Sequence, residues 1–144
     1  MPFRTVAELI AGRPPLSVAP STPLREACRR LADHDIGALA VLDDGRLVGI
    51  LSERDVIRRA ICGNRRIDET LVAEVMTADP QTAAIGESPA DALRRMRAGG
   101  FRHLPVMEDG RPVAMLSIRD IPTVNRLMWE RYIEYRDGQT AALA

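Results

Sequence analysis

The sequence predicts an α+β fold in which one strand–helix–strand–strand–helix unit occurs twice, the two copies being related by a pseudo-twofold axis. Residues 15–55 align without a gap on residues 80–120, at a constant offset of 65 residues. Two copies are too few for an open array, which needs about three repeats to bury its faces. We therefore expect the halves to close on each other, each with a small mixed sheet covered by helices. Identical pairs include Arg29/Arg94, Leu39/Leu104, Ser52/Ser117 and Asp55/Asp120.

Composition limits the classes of partner. The chain has 144 residues, 46% of them apolar, which suits one domain with one sizeable core. Twenty acidic residues balance twenty basic ones, so no overall field attracts nucleic acid or an anionic membrane. We expect partners to be recognised by local groups, with neither nucleic acid nor membrane among them.

The start of the chain and its few cysteines and histidines exclude other classes. No basic region followed by an apolar stretch opens the sequence, and no segment has the roughly 18 apolar residues of a membrane span, so a cytoplasmic location is expected. The two Cys and two His residues are too isolated for a disulfide framework or a zinc site. We expect no metal and no required cofactor.

Each half opens with a short helical stretch. The sequence Val-Ala-Glu at residues 6–8 recurs at residues 72–74, where the offset is 66 because the following loop has gained or lost one residue. We divide the chain into a first repeat with its preceding helix, residues 1–67, and a second repeat with an extended carboxyl-terminal helix, residues 68–144.

A short strand and an amphipathic helix follow in each half. The strands are predicted at residues 16–19 and 81–85, and the first helix carries Leu24, Ala27, Cys28 and Leu31 on one stripe. Its counterpart in the second half ends at residues 99–100, where two glycines allow a left-handed cap.

Two apolar runs joined by a turn then predict a hairpin in each half. Asp44-Gly45 and Asp109-Gly110 separate these runs, and Asp-Gly suits a type I′ turn, in which both central residues have positive φ. The runs do not alternate polar with apolar residues, which indicates that both sheet faces are covered.

A helix ends each half, at residues 53–62 and from the second hairpin to about Arg136. The second of these helices carries a group of apolar and aromatic residues: Leu127, Met128, Trp129, Tyr132, Ile133 and Tyr135. Such a group suits either an interface with another molecule or packing against the chain's own sheet.

The order of these motifs resembles a tandem pair of CBS domains, the regulatory module named after cystathionine beta-synthase. The resemblance covers nearly the whole chain and rests on residues 49–55 (GILSERD), 114–120 (AMLSIRD), 101–106 (FRHLPV) and 75–77 (VMT). It implies a pair of repeats closed about a pseudo-twofold axis, two clefts that often bind adenosine-containing ligands, and frequent dimerisation. Stand-alone pairs of this length are common in bacteria.

The resemblance also implies the site residues. A carboxylate has two acceptor oxygens that suit the vicinal diol of ribose, a role for Asp55 and Asp120. A hydroxyl at the start of the same helix suits a ribose or phosphate oxygen, a role for Ser52 and Ser117. The remaining residues expected at the two clefts are Arg54 and Arg119 of the motifs, and Ser17, Val18, Thr82 and Ala83, whose backbone would read the adenine edge.

The Ser-x-x-Asp spacing has a second interpretation, a helix capping box with no ligand role. In the first half the cap explains the motif fully. In the second half Pro122 would lie inside a helix capped by Ser117, where it lacks an amide and clashes with the Ile118 carbonyl. We therefore expect that helix to start two or three residues later and Ser117 to be less needed as a cap, unless an initial 3₁₀ turn restores the cap.

Arg102 and His103 distinguish the second half, because the aligned residues of the first are Gly37 and Ala38. In members of the resembled family that bind nucleotides, these positions often carry basic residues that bind phosphate. A phosphate here would raise the pKa of His103, so that binding would be tighter at low pH. The alternative is a solvated charge and a packed imidazole. Gly37 either lets an approaching backbone or base lie close or caps the preceding helix.

Three functions follow from these expectations. The first is a regulatory sensor that binds AMP, ADP, ATP, NAD(H) or S-adenosylmethionine between the repeats and modulates a partner. The second is a homodimeric interaction scaffold with vestigial clefts. The third is an enzyme, which the sequence does not favour, because it shows no nucleophile with a base, no Gly-rich phosphate loop and no spaced metal ligands.

Overall fold

A computed structural model describes residues 4–10 and 12–143, and its order of elements repeats along the chain. The first half contains α1 (Val6–Ile10), β1 (Ser17–Val18), α2 (Leu24–Asp33), β2 (Ala38–Asp43), β3 (Arg46–Ser52), α3 (Glu53–Asp55) and a π-helical segment (Val56–Ile61). The second half contains α4 (Val72–Val75), β4 (Thr77–Ala78), β5 (Ala83–Ala84), α5 (Pro89–Gly99), β6 (His103–Glu108), β7 (Arg111–Ser117), a 3₁₀ turn (Ile118–Asp120) and α6 (Thr123–Leu143). The predicted α+β class is confirmed.

Each half has one small mixed sheet, as predicted. The strand orders are β1-β2-β3-β4 and β5-β6-β7. In each sheet the first two strands are parallel and the next pair is antiparallel. The register shifts between Val41 and Leu42 in one sheet and between Val106 and Met107 in the other, at matched positions of the repeat. The repetition therefore extends to a local irregularity of the backbone.

The hairpin turns have the geometry that the Asp-Gly pairs predict. Asp44 and Gly45 have φ of 49° and 76°, and Asp109 and Gly110 have φ of 50° and 75°. Two consecutive positive φ values are the property of a type I′ turn. The predicted left-handed cap is also present, because Gly100 follows α5 with φ of 70°.

Two apolar cores lie in the molecule, and the short helices α1 and α4 are exchanged between them. Val6, Leu9 and Ile10 of α1 pack with the buried residues of β6, β7 and α5 in the second half. Val72 and Val75 of α4 pack with those of the first half. The division of the chain into repeats between residues 67 and 68 stays a prediction. Each core contains residues from both sides of that boundary.

The strands are covered on both faces, which confirms the interpretation of the unbroken apolar runs. Residues 38–41 of β2 are all buried, so successive side chains find cover on opposite faces of the sheet. The two sheets also contact each other, through β3 and β7 and through β2 and β7.

The carboxyl-terminal helix α6 divides its apolar residues between two environments. Trp129 and Ile133 are buried in the second core. The exposed ones are Val124, Leu127, Met128, Tyr132 and Tyr135. Packing against its own sheet is therefore shown for Trp129 and Ile133, whereas an interface formed by the exposed side chains stays a prediction. Among the described residues no helix is long and apolar enough to cross a membrane.

Because α1 and α4 each pack in the core of the other half, a substitution in either helix should destabilise the other half. Val6→Ala and Val72→Ala each remove two methyl groups from a fully buried site and should cost about 2 kcal/mol. Native-state hydrogen exchange should show that Val6→Ala reduces protection mainly in residues 103–117, and Val72→Ala mainly in residues 38–52. Loss of protection in the helix's own half would contradict the exchange.

Candidate functional site

The first candidate cleft is built at the corner where β3 turns into α3. Ser52 is the residue before the helix, and its Oγ accepts a hydrogen bond from the Asp55 amide at 3.1 Å. The Ser52 amide donates in return to Asp55 Oδ2 at 3.1 Å. These two bonds form a capping box, so the capping interpretation of this motif is correct and one carboxylate oxygen is held by the main chain.

The second corner has the same box on a different helix type. The Ser117 amide donates to Asp120 Oδ2 at 2.8 Å, and Ser117 Oγ accepts from the Arg119 amide at 3.2 Å. The expectation that Pro122 would release Ser117 from capping is wrong, because a 3₁₀ turn ends at Asp120 before Pro122 is reached. The long helix does start later, at Thr123, as the position of Pro122 requires.

The second oxygen of each aspartate bonds to a side chain from the segment after an exchanged helix. Thr77 Oγ1 donates to Asp55 Oδ1 at 3.1 Å. Arg13 Nη2 donates to Asp120 Oδ1 at 2.7 Å, as an ion pair whose arginine side chain is 63% exposed and whose aspartate is 15% exposed. Each carboxylate thus has one oxygen fixed by a cap and one that accepts a hydrogen bond from a side chain of a distant segment.

His103 lies between the two halves. It pairs with Ser117 across β6 and β7, and it faces Gly37 of the first half. A Cβ atom at Gly37 would lie 2.9 Å from His103 Cε1, closer than contacts of real Cβ atoms. The helix α2 ends at Asp33 with His34 as its cap, so Gly37 does not cap it, and the group that lies close to Gly37 is the His103 side chain, not a backbone or a base.

The surroundings of His103 are mostly cationic. Burial lowers the pKa of His103 below its usual value near 6.5, and the Asp120 carboxylate opposes this shift. Three guanidinium groups lower the pKa further, those of Arg119, Arg102 and Arg54. Glu53 is also near, since its Oε1 would lie 3.6 Å from a Cβ atom at Gly37. An anionic ligand would act in the same direction as Asp120 and raise the pKa of His103.

The arginines of this region differ in whether their side chains already donate hydrogen bonds within the protein. Arg54 crosses to the second half and donates to the Gly100 carbonyl at the end of α5, at 2.5 Å. The exposed side chains of Arg102 and Arg119 donate to none of the residues that the structure describes. Both remain available for an anion near Asp120.

The residues predicted to read adenine lie at the sheet edge. The side chains of Val18 and Ala83 are buried in the two cores, so only their backbone faces outward. The carbonyls of Ser17 and Thr82 accept hydrogen bonds from Arg30 and Arg95, which are aligned residues of the repeat. The role of these positions in reading adenine stays a prediction.

An open cavity of about 420 Å³ lies elsewhere, between the two hairpin turns. Because its lining includes turn residues, it lies at the opposite end of the strands from Ser52 and Ser117. Of the predicted site residues it contains Thr82 alone; the full lining is Arg46, Leu47, Asp79, Pro80, Thr82, Met107 and Gly110. Among the described residues no cluster of His, Cys, Asp and Glu is arranged to hold a metal ion.

Arg13 and Thr77 are partners of the two aspartates that the sequence interpretation did not name. They do not align with each other, since residue 13 corresponds to residue 78 at an offset of 65 and to residue 79 at an offset of 66. A weak signal was available: both follow the short helices that carry Val-Ala-Glu. Placing them beside the aspartates required the knowledge that these helices are exchanged between cores.

Comparison with known proteins identifies the family. The model of the CBS domain matches this chain twice, at residues 6–61 and 72–122, so the chain belongs to the CBS domain family. A curated relative, the CBS domain-containing protein CBSCBSPB5 of Arabidopsis thaliana, is 41% identical over 104 residues. That match covers 72% of this chain but 19% of the relative, so the chain spans about one fifth of the length of this curated relative.

Solved structures of the family share the fold closely. The CBS domain protein PAE2072 from Pyrobaculum aerophilum, complexed with AMP, has a TM-score of 0.76 and 27% identity, over 88% of this chain and 98% of that one. The CBS domain pair of protein MJ0100, in complex with 5′-methylthioadenosine and S-adenosyl-L-methionine, has a TM-score of 0.73 and 26% identity, over 81% and 95% of the two chains.

The buried position of His103 predicts a pH-dependent stability. Its folded pKa is depressed, so its contribution is present above about pH 6.5, the unfolded value, and is lost as pH falls toward the folded value. Between these values its contribution to the free energy of unfolding should fall by up to about 1.4 kcal/mol per pH unit.

Denaturant unfolding of wild type and His103→Gln between pH 5 and 8 measures this contribution. The wild type should lose more stability on acidification than the variant. His34→Gln, at the exposed other histidine, is the matched control and should behave like the wild type. Parallel pH profiles for wild type and His103→Gln would show that the imidazole is not buried in its neutral form.

Proposed function

We propose that this protein is a non-catalytic, cytoplasmic sensor module that binds an adenosine-containing ligand between its two CBS repeats and modulates a partner protein. The observation that carries the proposal is the geometry of Asp120, a half-buried carboxylate with one oxygen fixed by the main chain and the other bound by an exposed side chain. AMP bound to one solved relative, and 5′-methylthioadenosine with S-adenosyl-L-methionine bound to another, support the adenosine class.

The fixed oxygen supports ribose binding because it orients the carboxylate. A cap that holds Oδ2 leaves Oδ1 as the acceptor for a sugar hydroxyl, and the charge-assisted bond to it is about twice as strong as a neutral one. The same arrangement exists at Asp55, where Thr77 takes the place of the ligand hydroxyl. Two aspartates with one replaceable partner each favour two clefts of related chemistry.

The cations near Asp120 support a ligand that carries negative charge. Arg102 and Arg119 are exposed and make no side-chain hydrogen bond to the described residues, and His103 lies beside them. A phosphate there would satisfy these donors and raise the pKa of His103, so affinity should increase as pH falls. In a regulatory module, a ligand that binds one arrangement of the halves better than another shifts the population toward it.

The second candidate function is a homodimeric interaction scaffold, and one observation favours it. The exposed side chains of α6 form an apolar surface, with Leu127, Met128 and Tyr132 each at least 50% exposed. Ile57 and Ile61 add exposed apolar area on the matched helix of the first half. A homodimer is compatible with both functions, so ligand binding is the property that separates them.

Thermal unfolding with AMP, ADP, ATP, NAD, NADH and S-adenosylmethionine tests the proposal. A ligand at 100 times its dissociation constant should stabilise the protein by about 2.7 kcal/mol, a shift of a few degrees for a chain of this size. Asp120→Asn keeps an oxygen for the cap but removes the charge that grips the diol, so it should abolish the shift relative to its own baseline. The 2′,3′-dideoxy form of the active compound should be inactive.

Asp91→Asn is the matched control, because Asp91, like Asp120, is the third residue after a capping serine, here Ser88, and lies on a helix away from the motifs. It should leave the ligand shift intact. If no adenosine compound at millimolar concentration moves the transition of the wild type, the sensor function is wrong and the scaffold is favoured.

A further inference from the structure

The two clefts differ in the chemistry of the group that holds the replaceable oxygen. At Asp55 this group is the neutral hydroxyl of Thr77, and at Asp120 it is the guanidinium of Arg13. A ribose diol that takes the oxygen from a hydroxyl displaces no charge. A diol that takes it from a guanidinium breaks an ion pair, and the displaced cation then needs another anion.

The surroundings enlarge this difference. Near Asp120 the exposed Arg102 and Arg119 donate no side-chain hydrogen bond to the described part of the chain. Three arginines lie around the first motif: Arg54 donates to the Gly100 carbonyl, Arg59 donates to the Met76 carbonyl, and the exposed Arg58 donates to none of the described residues. Two arginines without such a bond therefore belong to the second motif region and one to the first.

Aligned residues show the same asymmetry. Gly37 and Ala38 stand where the second half has Arg102 and His103, and Glu53 stands where the second half has Ile118. Each of these differences makes the first cleft less positive than the second. A phosphate, with its several acceptor oxygens, fits the second cleft better for this reason.

We infer that Arg13 makes the Asp120 cleft selective for an adenosine ligand that carries a phosphate. The Asp55 cleft, where Thr77 bonds to the second carboxylate oxygen, binds an adenosine ligand whether or not it carries a phosphate. This inference rests on the proposed function and assigns a ligand class to each of its clefts. Arg13 is a ligand-binding residue in this scheme, reached from the segment that follows α1.

The exchange of partners at Asp120 explains the selectivity. The ribose hydroxyls take Oδ1, and the Arg13 guanidinium turns to the phosphate of the same ligand, to which it can present two parallel N–H groups. Its side chain is 63% exposed, so it is free to turn. Its Nε donates to the Ile10 carbonyl at 3.2 Å, so Arg13 also links the ligand to the last residue of α1. A nucleoside supplies the diol alone and leaves the displaced guanidinium without an anion.

Isothermal titration of AMP and of adenosine into the full chain tests this inference. Arg13→Ala should weaken AMP binding about tenfold, since one charge-assisted bond to phosphate is lost. The same substitution should leave adenosine binding unchanged or stronger, because Asp120 Oδ1 is then free. Arg13→Gln should give the same pattern and guards against loss of folding in the first variant.

Variants elsewhere locate the effect. Arg25→Ala removes another exposed arginine–aspartate pair between distant parts of the chain, that with Asp68, and should change neither affinity. Asp120→Asn should abolish the phosphate-dependent part of binding, and Asp55→Asn should not. Thr77→Arg should give the first cleft a preference for AMP over adenosine.

Each outcome decides the question. Equal losses of AMP and adenosine affinity in Arg13→Ala, or no loss of either, overturn the role of Arg13 while leaving an adenosine sensor. AMP binding that is lost in Asp55→Asn but kept in Asp120→Asn overturns the assignment of the clefts. If neither AMP nor adenosine binds the wild type, this inference fails, whereas the proposed function fails only if none of the six compounds of the thermal-unfolding test binds.

Discussion

The structure depends on the capping boxes at the ends of β3 and β7. In each box the aspartate accepts from the serine amide, and the serine hydroxyl accepts from a first-turn amide, that of Asp55 in one half and of Arg119 in the other. These bonds allow a buried strand to turn directly into a helix. The same bonds fix the orientation of the carboxylate. Because the cap uses one oxygen only, a structural element also presents an acceptor to the cleft, and the capping and ligand interpretations of the motif are compatible.

The exchange of α1 and α4 determines which side chain bonds to the second oxygen of each aspartate. Each short helix completes the core of the other half, so the segment after it passes the other half's aspartate. One such segment delivers Thr77 and the other Arg13. In two halves that are closely similar in backbone, down to a matched register shift, the aspartates thereby acquire one charged and one neutral partner. In this protein the asymmetry arises from exchanged segments and from Arg102 and His103.

Much of the fold could be predicted from sequence because the relevant signals are local. The gapless repeat, the Asp-Gly turns and the glycine cap each act within a few residues, and the late start of α6 follows from Pro122 alone. The π-helical segment after Asp55 and the 3₁₀ turn that keeps Ser117 as a cap depend on small differences in helix geometry that composition does not reveal. Arg13 could not be found, since its partner lies 107 residues away and is reached only through tertiary packing.

The central claim is that a ribose hydroxyl replaces Arg13 on Asp120, and a crystal structure of the full chain with saturating AMP tests it most directly. The account predicts electron density for AMP at the second capping box, with its ribose hydroxyls at about 2.7 Å from Asp120 Oδ1 and the Arg13 guanidinium turned to the phosphate. An unchanged Arg13–Asp120 pair, with AMP bound elsewhere or absent, would contradict it.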